Sequence, residues 1–231
     1  MTGAKIMLTT RRALIDEVSD ALVTLLMEGE LAPDQRINIE VVAKRLGVSA
    51  TPVRESLARL ESQGLVEKQT RKGYTASALL DRRGFVNLFD LRHLLEPTAA
   101  HLAASDATTG GGIALKRSIE AMLELERNAD SNSENYRALV EWDSNFHNQV
   151  AALSGNPLLA DAVARLRPHV HLYRLVAYRN VTAQTYEEHT RIADAIIAGQ
   201  PAKAREAMAE HLRRSRGRVD HYFELADGQF V

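Results

Sequence analysis

Asp143 and His147 stand four residues apart, with Trp142 and Phe146 beside them and Leu139, Val140 and Val150 nearby. On a helix that spacing projects a carboxylate and an imidazole from one face, so the polar pair looks into an apolar core. His189 lies within 186–197, where Ile192, Ala193 and Ile196 place the imidazole on or beside a buried stripe. His211 has the same relation to Ala207, Met208 and Leu212. One carboxylate and three imidazoles aimed into a bundle suit a borderline divalent ion such as Zn²⁺, Ni²⁺ or Mn²⁺. Four inward polar groups without an ion are expensive to bury. Taken singly, each residue has a plainer reading: Asp-x-x-x-His is common as a surface pair, and a lone histidine is usually hydrogen-bonded. His93, His101, His169, His171 and His221 read as surface or pocket residues rather than ligands.

Arg92 precedes Glu96 by one helical turn. The bland expectation is an intrahelical ion pair of a few tenths of a kcal/mol. On a helix expected over 157–180, His171, Arg174 and Tyr178 share a face that either reaches a pocket or lies at the surface.

A second chemistry is written in 47–66, GVSATPVRESLARLESQGLV. Gly47 closes one short helix, and the Ser49 hydroxyl is placed to cap the next. Pro52 sits in the first turn, where a missing N–H costs nothing, and Val53, Leu57 and Leu60 make one apolar stripe. With Ile39, Val42, Ala43 and Leu46 ahead of it, this is a helix-turn-helix whose second helix reads DNA. Arg54 is the candidate base reader, since Arg binds guanine O6 and N7 bidentately. Ser49 and Thr51, next to Pro52, are placed to meet phosphates at the helix N-terminus. Arg45 belongs to a local basic cluster, and Arg71 and Lys72 occupy a Gly-containing β-hairpin suited to the backbone or minor groove. Arg59 has Glu55 four residues earlier and is expected to pair with it.

These residues need elements to carry them. Residues 10–28 read as a first helix capped by Thr10 and closed by Gly29. Pro33-Asp34 marks a turn, Ile37 a short extended anchor, and Asn38 the cap of the second helix. Short strands at 65–68 and 74–76 flank the wing. From residue 78 the pattern turns helical: about 81–104, 109–129, 133–153, 157–180, 182–198 and 201–223. Pro168 is placed to kink or split the fourth of these, and Gly110–Gly112 blur the start of the second. The fold class is mainly α: a winged helix-turn-helix over 1–77, then an all-helical bundle of about six helices over 78–231. The two are expected to be coupled, since no Gly/Ser-rich linker separates them.

Composition fits a soluble globular chain of 231 residues with 45% hydrophobic and 26% charged residues. Having no cysteine excludes thiolate metal sites and disulfides and fits a reducing cytoplasm. No apolar run approaches the roughly 20 residues of a membrane helix, and the first residues lack a secretory core. Residues 1–77 hold 11 Lys/Arg and 10 Asp/Glu, leaving 18 and 20 of the totals of 29 and 30 for the rest. A DNA footprint must therefore come from local clustering, not bulk charge.

The run GELAPDQRIN…VVAKRLGVSATPVRESLARLESQGLVEKQTRKGYTAS resembles the N-terminal domain of the GntR family of bacterial transcription regulators. Two departures stand out: Ala50 occupies a position where the family usually has Arg, and Asn38-Ile39-Glu40 replaces a Ser-Glu-Arg-like run. The later segments Leu91–Pro97, Asp143-x-x-Phe146-His147, Leu153–Pro157, Glu188-His189 and His211-Leu212 resemble the FadR-like branch, with its all-helical FCD ligand-binding domain.

That resemblance implies a metal held by Asp143, His147, His189 and His211, and a carboxylate effector held by Arg92. The expected protein is a cytoplasmic, ligand-responsive repressor, a homodimer on a palindromic operator in double-stranded DNA. The alternatives are a DNA-binding regulator whose metal is structural or absent, and, more remotely, a metal-dependent hydrolase. Against the hydrolase, the nearest carboxylates, Glu187 and Glu188, show no evident route inward.

Overall fold

The computed structural model describes residues 3–27, 29–70, 73–106, 109–127, 133–166 and 182–228. The chain divides into two compact units, with the break between Leu79 and Leu80.

The first unit begins with α1 (Gly3–Met27). Thr10 is therefore interior to the helix rather than its cap, because nothing between Ala4 and Met27 breaks helical geometry. β1 (Arg36–Ile37) is followed by α2 (Ile39–Leu46), and Asn38 Oδ1 accepts from the Glu40 and Val41 amides as the expected cap. Gly47 adopts φ 67°, the left-handed geometry that ends α2. α3 spans Ala50–Ser62. Ser49 occupies its N-cap position with extended backbone, but the hydroxyl makes no capping bond. Gly64, at φ 76°, turns the chain into β2 (Val66–Gln69), which pairs antiparallel with β3 (Gly73–Ala76). β1 joins the other edge of β3, with Arg36 opposite Thr75 and Ile37 opposite Tyr74. The expected two-stranded wing is thus a three-stranded sheet, ordered β1-β3-β2.

Val53, Leu57 and Leu60 of α3 are at most 1% exposed, and Leu22 and Leu26 of α1 and Val42 of α2 are buried as well. Each such side chain contributes roughly 1.5–3 kcal/mol of transfer free energy. Ser56 donates to the Ile15 carbonyl at 3.0 Å, tying α3 to α1.

The second unit comprises α4 (Arg82–Ser105), α5 (Thr109–Arg127), α6 (Ser133–Leu153), α7 (Pro157–Leu166), α8 (Thr182–Ile197) and α9 (Pro201–Gly228). Asp81 caps α4 by accepting from the Gly84 amide at 2.7 Å. α5 runs through all three glycines, and a Cβ on Gly112 would stand 2.9 Å from Ile197 Cγ1. Glycine there lets α5 approach the end of α8 closely. Ala100, Ala103 and Ala104 of α4 form a low-relief surface that packs with Leu115, Phe146, Ile192, Met208 and Leu212 in one core. Around that core, α4 lies against α6, α8 and α9. Pro168, His169, His171, Arg174 and Tyr178 lie outside the described residues, as do Arg71 and Lys72. Among the described residues, no helix is long and apolar enough to cross a membrane.

Candidate metal centre and DNA-reading face

In the helical unit, three helices converge on one point. α6 supplies Asp143 and His147, α8 supplies His189 and α9 supplies His211, and one ligand atom from each lies within 4.8 Å of the others. That spread is comparable to the roughly 4 Å across the coordination shell of a single ion with bonds near 2.0–2.2 Å. The three imidazole rings stand 4.6 to 5.1 Å apart, centroid to centroid. Asp143 Oδ1 lies 3.5 Å from His189 Nε2 and 4.0 Å from His147 Nε2. Phe146, one residue before His147, stacks flat on His189 at 4.1 Å and 9°, and Trp142 packs on the same ring at 5.0 Å. The aromatic pair flanking the acid and base thus sets the plane of the third ligand.

Two buried carboxylates back these residues. Glu96 of α4 accepts from Arg92 Nε at 2.6 Å, and its other oxygen lies 2.6 Å from His147 Nδ1. The Arg92–Glu96 pair expected from spacing is present, but it is buried rather than exposed, with Arg92 1% and Glu96 2% accessible. Arg92 Nη2 also approaches His147 Nε2 to 3.4 Å, so the guanidinium borders the ligand group. Glu188 of α8 lies 2.8 Å from His211 Nδ1 and accepts from Arg218 Nη1 and Nη2 at 3.2 and 3.3 Å. Glu188 is 3% exposed. The expectation that it has no route inward is overturned. Its signal was present in the chain: Thr185, Glu188, Ile192 and Ala195 fall at helical spacing and are all buried.

The electrostatics suit a cation. Burial pushes the Glu188 carboxyl up, but hydrogen bonds from His211 and Arg218 outweigh it and hold the group at about 2. For Glu96, burial is likewise opposed and outweighed by Arg92 and His147, leaving it far below the usual carboxylate range. Burial, reinforced by the neighbouring His211, His147 and Arg92, drives His189 well below its ordinary value. Burial also lowers His211, although Glu188 opposes it. Neutral imidazoles are the form that ligates a metal. Among the described residues, neither ring nitrogen of the fully buried His189 makes a hydrogen bond. Arg92–Glu96 and Arg218–Glu188 are each neutral as pairs, so the charge of Asp143 faces three imidazoles. Four such donors fit a divalent ion.

On the first unit, Thr51 and Arg54 stand exposed on α3, with Ser49 exposed just before it. Arg54 Nη2 lies 3.8 Å from Glu40 Oε1, and both side chains are more than half exposed. Arg45 donates to Glu30 Oε1 at 2.9 Å. Pro52, in the first turn of α3, is buried. Arg59 pairs with Asp16 of α1, not with Glu55, because its side of α3 faces that helix.

Comparison with known proteins agrees with both halves. Residues 14–75 match the family described as "Bacterial regulatory proteins, gntR family", and residues 87–214, more than half the chain, match the FCD domain. An HTH-type transcriptional regulator in an unstable DNA locus of Streptomyces ambofaciens is 31% identical over 89% of this chain and 83% of its own length. The HTH-type transcriptional regulator LutR of Bacillus subtilis is 27% identical, covering 87% of this chain and 98% of its own. The solved structure of E. coli McbR/YncC shares the fold with a TM-score of 0.64 at 21% identity, over 92% of this chain and 98% of that one. The relatives are transcription regulators rather than enzymes, and this chain belongs to the GntR family as a DNA-binding transcription regulator carrying an FCD domain.

Proposed function

We propose that this chain is a ligand-responsive repressor whose helical unit holds a divalent metal and a small carboxylate effector. One observation carries the reading: Asp143, His147, His189 and His211 converge within 4.8 Å, and among the described residues neither nitrogen of the buried His189 is hydrogen-bonded. Zn²⁺ is the first candidate, with Ni²⁺ and Mn²⁺ as alternatives. Such an ion supplies positive charge and coordination positions that a carboxylate can share. Arg92, 3.4 Å from His147 Nε2, borders the ligand group and supports the effector's being an anion. Arg174 and Tyr178 are further candidates for the effector.

For DNA, Arg54 reads a base in the major groove while Ser49, Thr51 and Arg45 meet the backbone, and Arg71 and Lys72 extend the contact through the wing. A homodimer places two such helices on a palindromic operator. By linkage, an effector that lowers operator affinity must itself bind less tightly to the DNA-bound form.

Elemental analysis of the purified protein, followed by titration with small carboxylic acids while melting temperature and operator binding are recorded, tests the whole. The expected result is one divalent ion per chain, lost in His189→Ala, and an acid that raises the melting temperature according to its affinity and shifts operator binding. Metal without any responsive acid would make the ion structural. No metal in the native protein would sink the reading.

A further inference from the structure

Four side chains account for the metal centre, yet a fifth polar group on the same helices, Glu188, is also buried. Glu188 precedes the ligand His189 in sequence but contacts the ligand from α9: its Oε2 lies 2.8 Å from His211 Nδ1. His211 and Arg218 are seven residues apart, two helical turns, and so share a face of α9. Glu188 reaches across from α8 and is gripped between them, with Arg218 donating to both of its oxygens. Arg214 Nη1 stands 3.7 Å from Oε1 on the outer side. An ionised carboxylate can only accept hydrogen bonds, and a neutral imidazole has one N–H to give. The proton of His211 must therefore sit on Nδ1, which leaves the Nε2 lone pair as the one available to a cation. The ring is 2% exposed. His189 is handled differently, held by the faces of Phe146 and Trp142 instead of a carboxylate.

We propose that Glu188, anchored by Arg218, is a positioning residue that fixes His211 in the tautomer and orientation required of a metal ligand. This rests on the metal-centre reading above. Backing carboxylates of this kind typically change metal affinity about 10–100-fold.

The test uses the full chain stripped of metal with a chelator. Zinc affinity is measured by competition with a chromogenic chelator, and the imidazole ¹⁵N shifts of His211 are read in the metal-free protein. Glu188→Gln is expected to weaken zinc binding about 10–100-fold. It should also move His211 from the Nδ1–H form to a mixture of tautomers, because an amide can donate as well as accept. Glu188→Asp should keep the Nδ1–H form and lose less affinity. If Glu188→Gln fails to fold, Arg218→Met keeps the carboxylate but frees it from its anchor, and an intermediate loss of zinc affinity is expected. Wild-type zinc affinity in whichever variant folds, or an unchanged tautomer in Glu188→Gln, overturns the proposal. If the wild-type chain takes up no zinc, the metal reading fails. The tautomer readout still decides whether Glu188 orders the ring.

Discussion

Both units carry exposed arginine–carboxylate pairs, but among the described residues only the helical unit also encloses such pairs. In the DNA-binding unit the pairs Arg45–Glu30, Arg54–Glu40 and Arg59–Asp16 are all about half exposed or more. In the helical unit Arg92–Glu96 is almost wholly enclosed, and Glu188 is enclosed between Arg218 and His211. An exposed pair is worth about 0–1 kcal/mol and is easily exchanged for a phosphate. Breaking a buried pair by removing one partner costs roughly 3–5 kcal/mol, because the other charge is left without compensation. The surface arginines are thus cheap to recruit for an external polyanion, whereas the interior ones hold an internal site in a fixed geometry.

The largest effect that would sharpen this contrast is on stability. Arg92→Met should destabilise the helical unit by roughly 3–5 kcal/mol in denaturant unfolding, since it strands Glu96 beside His147. Arg45→Ala should change stability by no more than about 1 kcal/mol. Equal losses would erase the distinction between the units. Arg54→Ala should next leave the melting temperature unchanged while weakening binding to a selected operator fragment by about 1–3 kcal/mol at fixed salt. Undiminished affinity in a gel-shift titration would remove Arg54 from base reading.

A graded effect is expected with pH in the metal-free protein. The folded-state values of His189 and His211 are depressed by burial. The unfolded chain therefore binds protons first, and stability is fully present above the ordinary histidine value near 6.5 and declines as pH falls below it. Melting curves between pH 7.5 and 5 check the sign. Acid-stabilisation over that range would contradict it. The smallest change is at Ala50, the first residue of α3. Ala50→Arg should strengthen DNA binding and steepen the salt dependence by about one ion. No change in either would mean that this position faces away from DNA.

Much of the fold was legible because its signals are local. Asn38, Gly47 and Gly64 bound the helix-turn-helix by geometry that only a few residue types supply, and the gaps at 154–157 and 199–201 separate the later helices. Of the four ligand candidates, i,i+4 spacing places Asp143 and His147 together without knowledge of the fold, whereas His189 and His211 are legible only from the apolar stripes beside them and from the resemblance to the FadR-like branch. What was hidden depends on how helices cross. Which neighbour Arg59 meets, whether Glu188 turns toward α9, and whether Arg92–Glu96 is wet or dry are all decided by packing between elements distant in sequence. Ile37 reads in sequence only as an extended anchor for a related reason: two residues carry no periodicity, and only the edge of β3 makes them a strand.

The position of α9 has a consequence in time. It is the last of the described helices, yet it donates His211 and Arg218 to the centre and joins Arg216 to Asp90 at 3.0 Å, 126 residues back along the chain. Closing so long a loop is slow compared with forming any single helix. A chain halted before residue 211 would contain the whole of the first unit, Met1–Leu79, and still lack two members of the interior cluster. The N-terminal unit is therefore synthesised in full before the residues that complete the interior cluster of the second.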